Sequence, residues 1–413
     1  MAEYYEPMIF MSTPEHPETM GAYVVLKEPV DGDILRDVVE ELRVRFPYFY
    51  VRAEKVGNDL LPKANPLPMT VRNKWEPIDL CSEKSNYHMA AFKYEGNRMA
   101  LEMLHSISDG AGFLPYIKSV LYLYLSRKKG VGFNPEGFRL PGSLIPESET
   151  GDPFAGLDID NAGPPLCQKE TVRDFYRMNT AGENSNRYYF LRLSEEQVMK
   201  YCKDNDGSPN ILLSVLMAKA IRRVDPESDK TISVSVAIDH KAILGNYDNY
   251  RMFANVAELS FAKDRDLDDT VKACTTARGQ LILQTQPENS LWAMKQRKQM
   301  YAHFEQMPLQ MKIDRIAAAV GSARWSVSVS YANSRSFGPL DPYIEALYFL
   351  SCPGVADMTF EVTCINHSFF LAIAQGFTSE TYFEAFLSEL TEAGIDYEIK
   401  GREETRLCGI ERL

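Results

Sequence analysis

The sequence predicts a two-lobed protein of mixed helix and strand, an α/β (α+β) fold. Three observations lead there. The chain has 413 residues, more than a single hydrophobic core ordinarily serves. Each half alternates strand-like segments of period two with helix-like segments of period 3.6. Between the halves, residues 130–166 are dense in glycine and proline, as in Leu140-Pro141-Gly142 and Gly163-Pro164-Pro165. A connection of that length suits a bridge between lobes. The expected division is an N-terminal lobe over 1–175 and a C-terminal lobe over 176–413.

The elements follow in order. Residues 21–27 read as a strand, and Pro29-Val30-Asp31-Gly32 as a turn. Residues 33–46 carry Ile34, Val38, Leu42 and Phe46 at helical spacing, and Pro47 ends that helix. A strand over 49–53 comes next. Strands over 86–94 and 98–105 are joined by Glu95-Gly96-Asn97, a hairpin turn. In the following helix Leu114, Ile117, Leu121 and Tyr124 share a face, and Arg127-Lys128-Lys129 complement the dipole at its end. In the second half, a strand over 187–193 leads to Ser194, with Gln197 placed for a capping box. Helices over 210–222 and 267–286 alternate with strands over 231–238 and 252–261. Residues 325–331 place Ser326, Ser328 and Ser330 on one face and Trp325, Val327 and Val329 on the other. An antiparallel pair over 358–365 and 368–373 precedes a last helix, which runs from 378 to Ala393 and ends at Gly394.

Composition removes several function classes. The hydrophobic share is 45% and the charged share 25%, ordinary for a globular protein. A net charge of −12 argues against nucleic acid as the main partner. The 7 cysteines are scattered, with no Cys-x-x-Cys, which argues against a disulfide framework or a zinc site and for reduced cytosolic thiols. His-Glu-x-x-His, P-loop, dinucleotide-binding glycine and Gly-x-Ser-x-Gly signatures are absent. The start is acidic and is broken by Pro7, Pro14 and Pro17, unlike a signal peptide. The longest apolar run, over 119–125, is too short to span a bilayer. The expectation is a cytoplasmic protein with no metal and no membrane span.

One segment carries chemistry: Leu104-His105-Ser106-Ile107-Ser108-Asp109-Gly110. A strand-like run leads in and a helix-like run leads out. A histidine at that junction can face a cavity, and its ordinary pKa near neutrality suits a general base. Two bland local readings stand beside this. Asp109 can serve only as the N-cap of the helix, and His105 can be a buried histidine bonded to a carbonyl.

Several segments together resemble the chloramphenicol acetyltransferase-like superfamily, which holds CoA-dependent acyltransferases, peptide-synthetase condensation domains and alcohol acetyltransferase-like proteins. His105, Asp109 and Gly110 match its His-x-x-x-Asp-Gly signature. Residues 30–36 and Arg45-Phe46-Pro47 are similar to its first helix and that helix's ending. Residues 208–214 resemble the start of its second-lobe helix, Phe253-Ala254-Asn255-Val256 its Phe-x-Asn-Thr strand, and Ser330-Tyr331 through Phe337-Gly338 its late Ser-Asn/Tyr-x-Gly segment. Leu104 stands where condensation domains carry a second histidine, Ser260 stands where they often place an arginine, and the plant-type Asp-Phe-Gly-Trp-Gly is absent. These departures favour the alcohol acetyltransferase-like branch.

The resemblance implies two lobes, each a mixed sheet with flanking helices, meeting at a central tunnel. His105 would deprotonate a small-molecule alcohol or amine that attacks the thioester of acyl-CoA, a co-substrate and not a bound cofactor. Asp109 would be structural, paired with an arginine, and Gly110 would allow a tight turn and close backbone approach. Ser330, Tyr331, Ser336 and Gly338 would line the substrate site. The alternatives are an acyl carrier protein as donor, or a silent binding protein on the same fold.

Overall fold

The structure, a computed structural model, describes residues 7–13, 18–166, 172–317, 324–332, 336–354, 356–404 and 409–410. Strand β1 (Thr19–Leu26) leads to helix α1 (Gly32–Glu41). The Asp31 carboxylate opens this helix by accepting from the Asp33 and Ile34 amides. Next come the hairpin β2 (Val51–Val56) and β3 (Asp59–Ala64), then the short strands β4 (Val71–Asn73) and β5 (Asp79–Leu80). Strands β6 (Ala90–Glu95) and β7 (Arg98–Leu104) precede helix α2 (Gly110–Lys129), and the short α3 (Glu147–Thr150) sits in the long connection.

The second half begins with β8 (Arg187–Ser194), α4 (Glu195–Asp204), α5 (Pro209–Val224), β9 (Ile232–Asp239) and α6 (His240–Leu244). It continues through β10 (Ala254–Phe261), α7 (Thr270–Gln284), α8 (Pro287–Glu305), α9 (Leu309–Ala317) and β11 (Trp325–Tyr331). It closes with β12 (Ile344–Ser351), β13 (Ala356–Ile365), β14 (Ser368–Gln375), α10 (Thr381–Glu392), β15 (Tyr397–Glu404) and β16 (Gly409–Ile410).

Two large mixed sheets organise these elements. The first has the order β12-β1-β7-β6-β4 and the second β10-β9-β11-β13-β14-β8-β15. The first sheet draws its edge strand from the second half of the chain: β12 pairs antiparallel with β1, Tyr23 opposite Tyr348. Each sheet has its own hydrophobic core. On the first, α1 buries Leu35, Val38 and Val39, and each such aliphatic side chain contributes about 1.5–3 kcal/mol. On the second, Val327, Val329, Met358 and Phe360 point into a core shared with Leu212, Leu216 and Phe386. The opposite face of the second sheet turns toward the first lobe, where Phe190, Phe370 and Ala372 join the first core beside Tyr348.

Some local expectations are corrected. The first helix stops at Glu41, not at residue 46. The chain then tightens into a 3-10 turn over Leu42–Val44, and Arg45 swings inward to a buried carboxylate. The capping box at Ser194 is half formed: its hydroxyl accepts from the Gln197 amide at 3.4 Å, but the Gln197 side chain turns away to Asp396. The cationic end of α2 is tied by specific partners besides the dipole, Arg127 pairing with Glu41 and Lys129 with Glu28.

Candidate active site

The centre of the candidate site is the turn between β7 and α2. Sheet pairing ends at Leu104, opposite Thr19. The His105 amide then bonds the Glu18 carbonyl at 2.9 Å, and the ring leaves the sheet half-buried. His105 Nδ1 lies 3.1 Å from the Ser108 carbonyl oxygen. A carbonyl only accepts, so Nδ1 carries the proton and Nε2 keeps its lone pair. That is the tautomer a general base needs, and the turn's own backbone sets it.

Asp109 has both of the roles weighed from the sequence. Its Oδ1 accepts from the Gly112 amide at 2.8 Å, capping α2. The same oxygen lies 2.6 Å from Lys241 Nζ, and Oδ2 accepts from the Phe253 amide at 2.8 Å. The pair is sealed, with the Asp109 and Lys241 side chains only 4% and 1% exposed. The partner of Asp109 is therefore a lysine and not the expected arginine, and it follows β9 directly. Asp239 caps that turn through the Lys241 amide, which fixes where the lysine starts.

The close approach expected of Gly110 falls instead at Gly112. A Cβ on Gly110 would meet open space, whereas one on Gly112 would lie 2.1 Å from the Tyr250 carbonyl oxygen. Ser108 donates to that same carbonyl at 2.6 Å. The His105 turn of the first lobe is thus clamped to segment 250–253 and to Lys241 of the second. Tyr250 is held in turn: it stacks on Tyr48 at 4.0 Å, and its amide bonds the Glu149 carbonyl. The Glu149 carboxylate forks with Arg45 at 2.6 and 2.8 Å, and Arg139 joins it at 2.8 Å. The Arg45-Phe46-Pro47 segment thereby anchors the connection that carries α3.

Two buried carboxylates, one from each lobe, lie close enough to feel the charge of His105. Glu18 precedes β1. Burial pushes its carboxyl above the usual range, opposed by the charges of His105 and Arg324. Glu361 lies on β13, opposite Ser330. Burial raises it as well, while the neighbouring Ser330 and Ser351 hydroxyls and the nearby His105 pull it back. His240, adjacent to Lys241, is a different kind of histidine. It is 2% exposed, and burial helped by Arg297 pushes its pKa down to about 3.

The other expected site residues separate. Ser330 stands with Glu361 on the face toward His105. Tyr331 is on the other face of β11, packed against Phe369 at 5.7 Å. Ser336 and Gly338 form an exposed turn: Ser336 Oγ donates to Asp341 and accepts from the Gly338 amide, both at 2.8 Å. Glu18, Lys241 and Glu361 were not foreseen. Only Lys241 left a trace in the sequence, as the one lysine in Ile238-Asp239-His240-Lys241, directly after a predicted strand. Among the described residues, no three potential ligands gather to hold a metal.

No protein-family model matches the chain, and no curated protein matches it. Solved structures do. Polyketide synthase associated protein 5 from Mycobacterium tuberculosis superposes with a TM-score of 0.59 at 13% identity, over 93% of this chain and 95% of that one. The F. sporotrichioides TRI101 protein, complexed with Coenzyme A and T-2, gives 0.58 at 12% identity over 94% and 98%. The condensation domain of the Monacolin K polyketide synthase MokA gives 0.54 at 10% identity over 94% and 96%. The chain therefore shares the two-lobed fold of these proteins. Among the described residues, no helix is long and apolar enough to cross a membrane.

Proposed function

We propose that the chain is an acyltransferase that moves an acyl group from acyl-CoA to a small-molecule hydroxyl or amine, with His105 as general base. The observation that carries this is the Nδ1 contact to the Ser108 carbonyl, which leaves Nε2 as the basic nitrogen on a turn that both lobes clamp. Nε2 takes the proton from the acceptor O–H or N–H as the oxygen or nitrogen attacks the thioester carbonyl. The tetrahedral intermediate collapses, the C–S bond breaks, and the thiolate recovers the proton from the imidazolium. No covalent acyl-enzyme is required. Asp109 takes no proton in this scheme, because it is committed to Lys241 and two backbone amides. The likeness to a fold that includes a coenzyme A complex supports the choice of donor.

The test is thiol release from acetyl-CoA with a panel of alcohols and amines. His105→Ala is expected to lower the rate at least about 10²-fold, within the usual worth of a general base, with thermal unfolding unchanged. Unchanged turnover would overturn the assignment. Activity with an acylated carrier protein but not with acetyl-CoA would redirect the donor to a carrier.

A further inference from the structure

The face of the second sheet that looks toward His105 is a floor of hydroxyls. Val234, Val236, Val327, Val329, Met358 and Phe360 all point into the second core. Their alternate neighbours Ser235, Ser328, Thr359, Ser330 and Glu361 therefore point the other way. The register aligns them in two rows. Ser235 lies opposite Ser328, which lies opposite Thr359; one step nearer the strand ends, Ser330 lies opposite Glu361.

Burial falls along this floor. Ser235 is fully buried and Thr359 is 5% exposed, while Ser328, Ser330 and Glu361 are half-buried. The deep hydroxyls, Ser235 Oγ and Thr359 Oγ1, have no hydrogen-bond partner among the described residues. A buried hydroxyl without a partner costs about 1–3 kcal/mol. Two on one face, leading to a carboxylate beside the catalytic histidine, mark a place where a polar molecule supplies the missing partners. An apolar alcohol would leave that cost in place.

We infer that this floor is the acceptor subsite, and that the acceptor is a hydroxyl-rich molecule of the sugar or amino-sugar type, with Glu361 receiving one of its O–H or N–H groups beside His105. The inference rests on the acyl-transfer reading and adds the acceptor's chemical class. Glu361 is an acceptor-binding residue here, not a second base. Its effect belongs in the acceptor KM.

The experiment uses the full chain, with three acceptors: glucosamine, sorbitol and 1-octanol. Binding is followed by saturation-transfer NMR and turnover by thiol release from acetyl-CoA. The variants are Glu361→Gln and the isosteric Thr359→Val, each checked for a native unfolding transition. The expected result is that glucosamine or sorbitol binds and is acylated in preference to octanol. Each variant then raises the polar acceptor's KM about tenfold, with kcat within about threefold. Equal response to sorbitol and glucosamine means that Glu361 reads a hydrogen bond; preference for glucosamine means that it reads a charge; both support the inference. Acylation of octanol in preference to both polar acceptors overturns it while leaving acyl transfer intact, as does an unchanged polar KM in both variants. Polar binding that the variants abolish, with no acyl transfer to any acceptor, keeps the subsite and refutes the acyltransferase reading instead.

Discussion

Replacing Lys241 with methionine keeps most of the side chain's volume and removes its charge. Asp109 is then left as a buried anion. Breaking a buried pair by removing one partner costs about 3–5 kcal/mol, because the remaining charge is uncompensated. Here Asp109 keeps two amide donors at 2.8 Å, from Gly112 and Phe253, so the lower end applies, ~3 kcal/mol. For chains of a few hundred residues each kcal/mol moves the melting temperature by roughly 2 °C, so Lys241→Met should melt about 6 °C lower. The lost contact also frees one side of the turn that aims His105, so kcat should fall about tenfold with the acyl-CoA KM little changed. Scanning calorimetry and thiol release from acetyl-CoA read the two effects. The decisive measurement is the cycle with Asp109→Asn. The double variant has no buried charge left unpaired, so its loss should be smaller than the sum of the two single losses by about 2 kcal/mol. Additive losses, or a Lys241→Met shift below about 1 °C, would refute the clamp.

Three further expectations follow from the geometry. Gly112→Ala should destabilise by ~3 kcal/mol, because its Cβ falls on the Tyr250 carbonyl, whereas Gly110→Ala, with open space around the new methyl, should leave the melting temperature within about 1 °C. Glu361→Gln should stabilise the fold at neutral pH while raising the acceptor KM. Its carboxyl is raised in the folded state, so its contribution falls as pH rises from the unfolded to the folded pKa. The gain should accordingly vanish below about pH 4, and a gain that persists there would contradict the assignment. Glu149 runs the opposite way. Burial would raise its carboxyl, but Arg45, Tyr48 and Arg139 hold it below the usual range. Its stabilisation is present above the unfolded carboxylate pKa and is lost as pH falls through the folded one. Glu149→Gln should thus cost ~3 kcal/mol at pH 7 and progressively less in acid, as followed by denaturant unfolding at several pH values.

What the sequence revealed and what it hid divide along one physical line. Periodicity is a local signal, so elements half-buried on a single sheet face were legible: β11 alternates serine with valine, and the structure puts the valines in the core and the serines toward the other lobe. Strand β12 escaped notice because Ala346-Leu347-Tyr348-Phe349-Leu350 is buried on both faces. A continuous apolar run has no period to read. Helix α8 escaped for the opposite reason, since its surface mixes charged and apolar residues with no clear stripe. The site shows the same division at higher resolution. His105 and Asp109 stand four positions apart and could be read together, but Lys241 meets Asp109 across 132 positions, and Glu361 lies near the histidine on a strand of the far lobe. Only the packing of the two sheets and their connecting turns against each other brings these together. A motif of short spacing therefore marks the nucleus of such a site, while the residues proposed to aim the base and to bind the acceptor come from distant parts of the chain. On the proposed reading, substitutions at Glu361 should change the acceptor while the His105 turn keeps its chemistry, whereas substitutions at Lys241 should act on stability and on how the base is aimed.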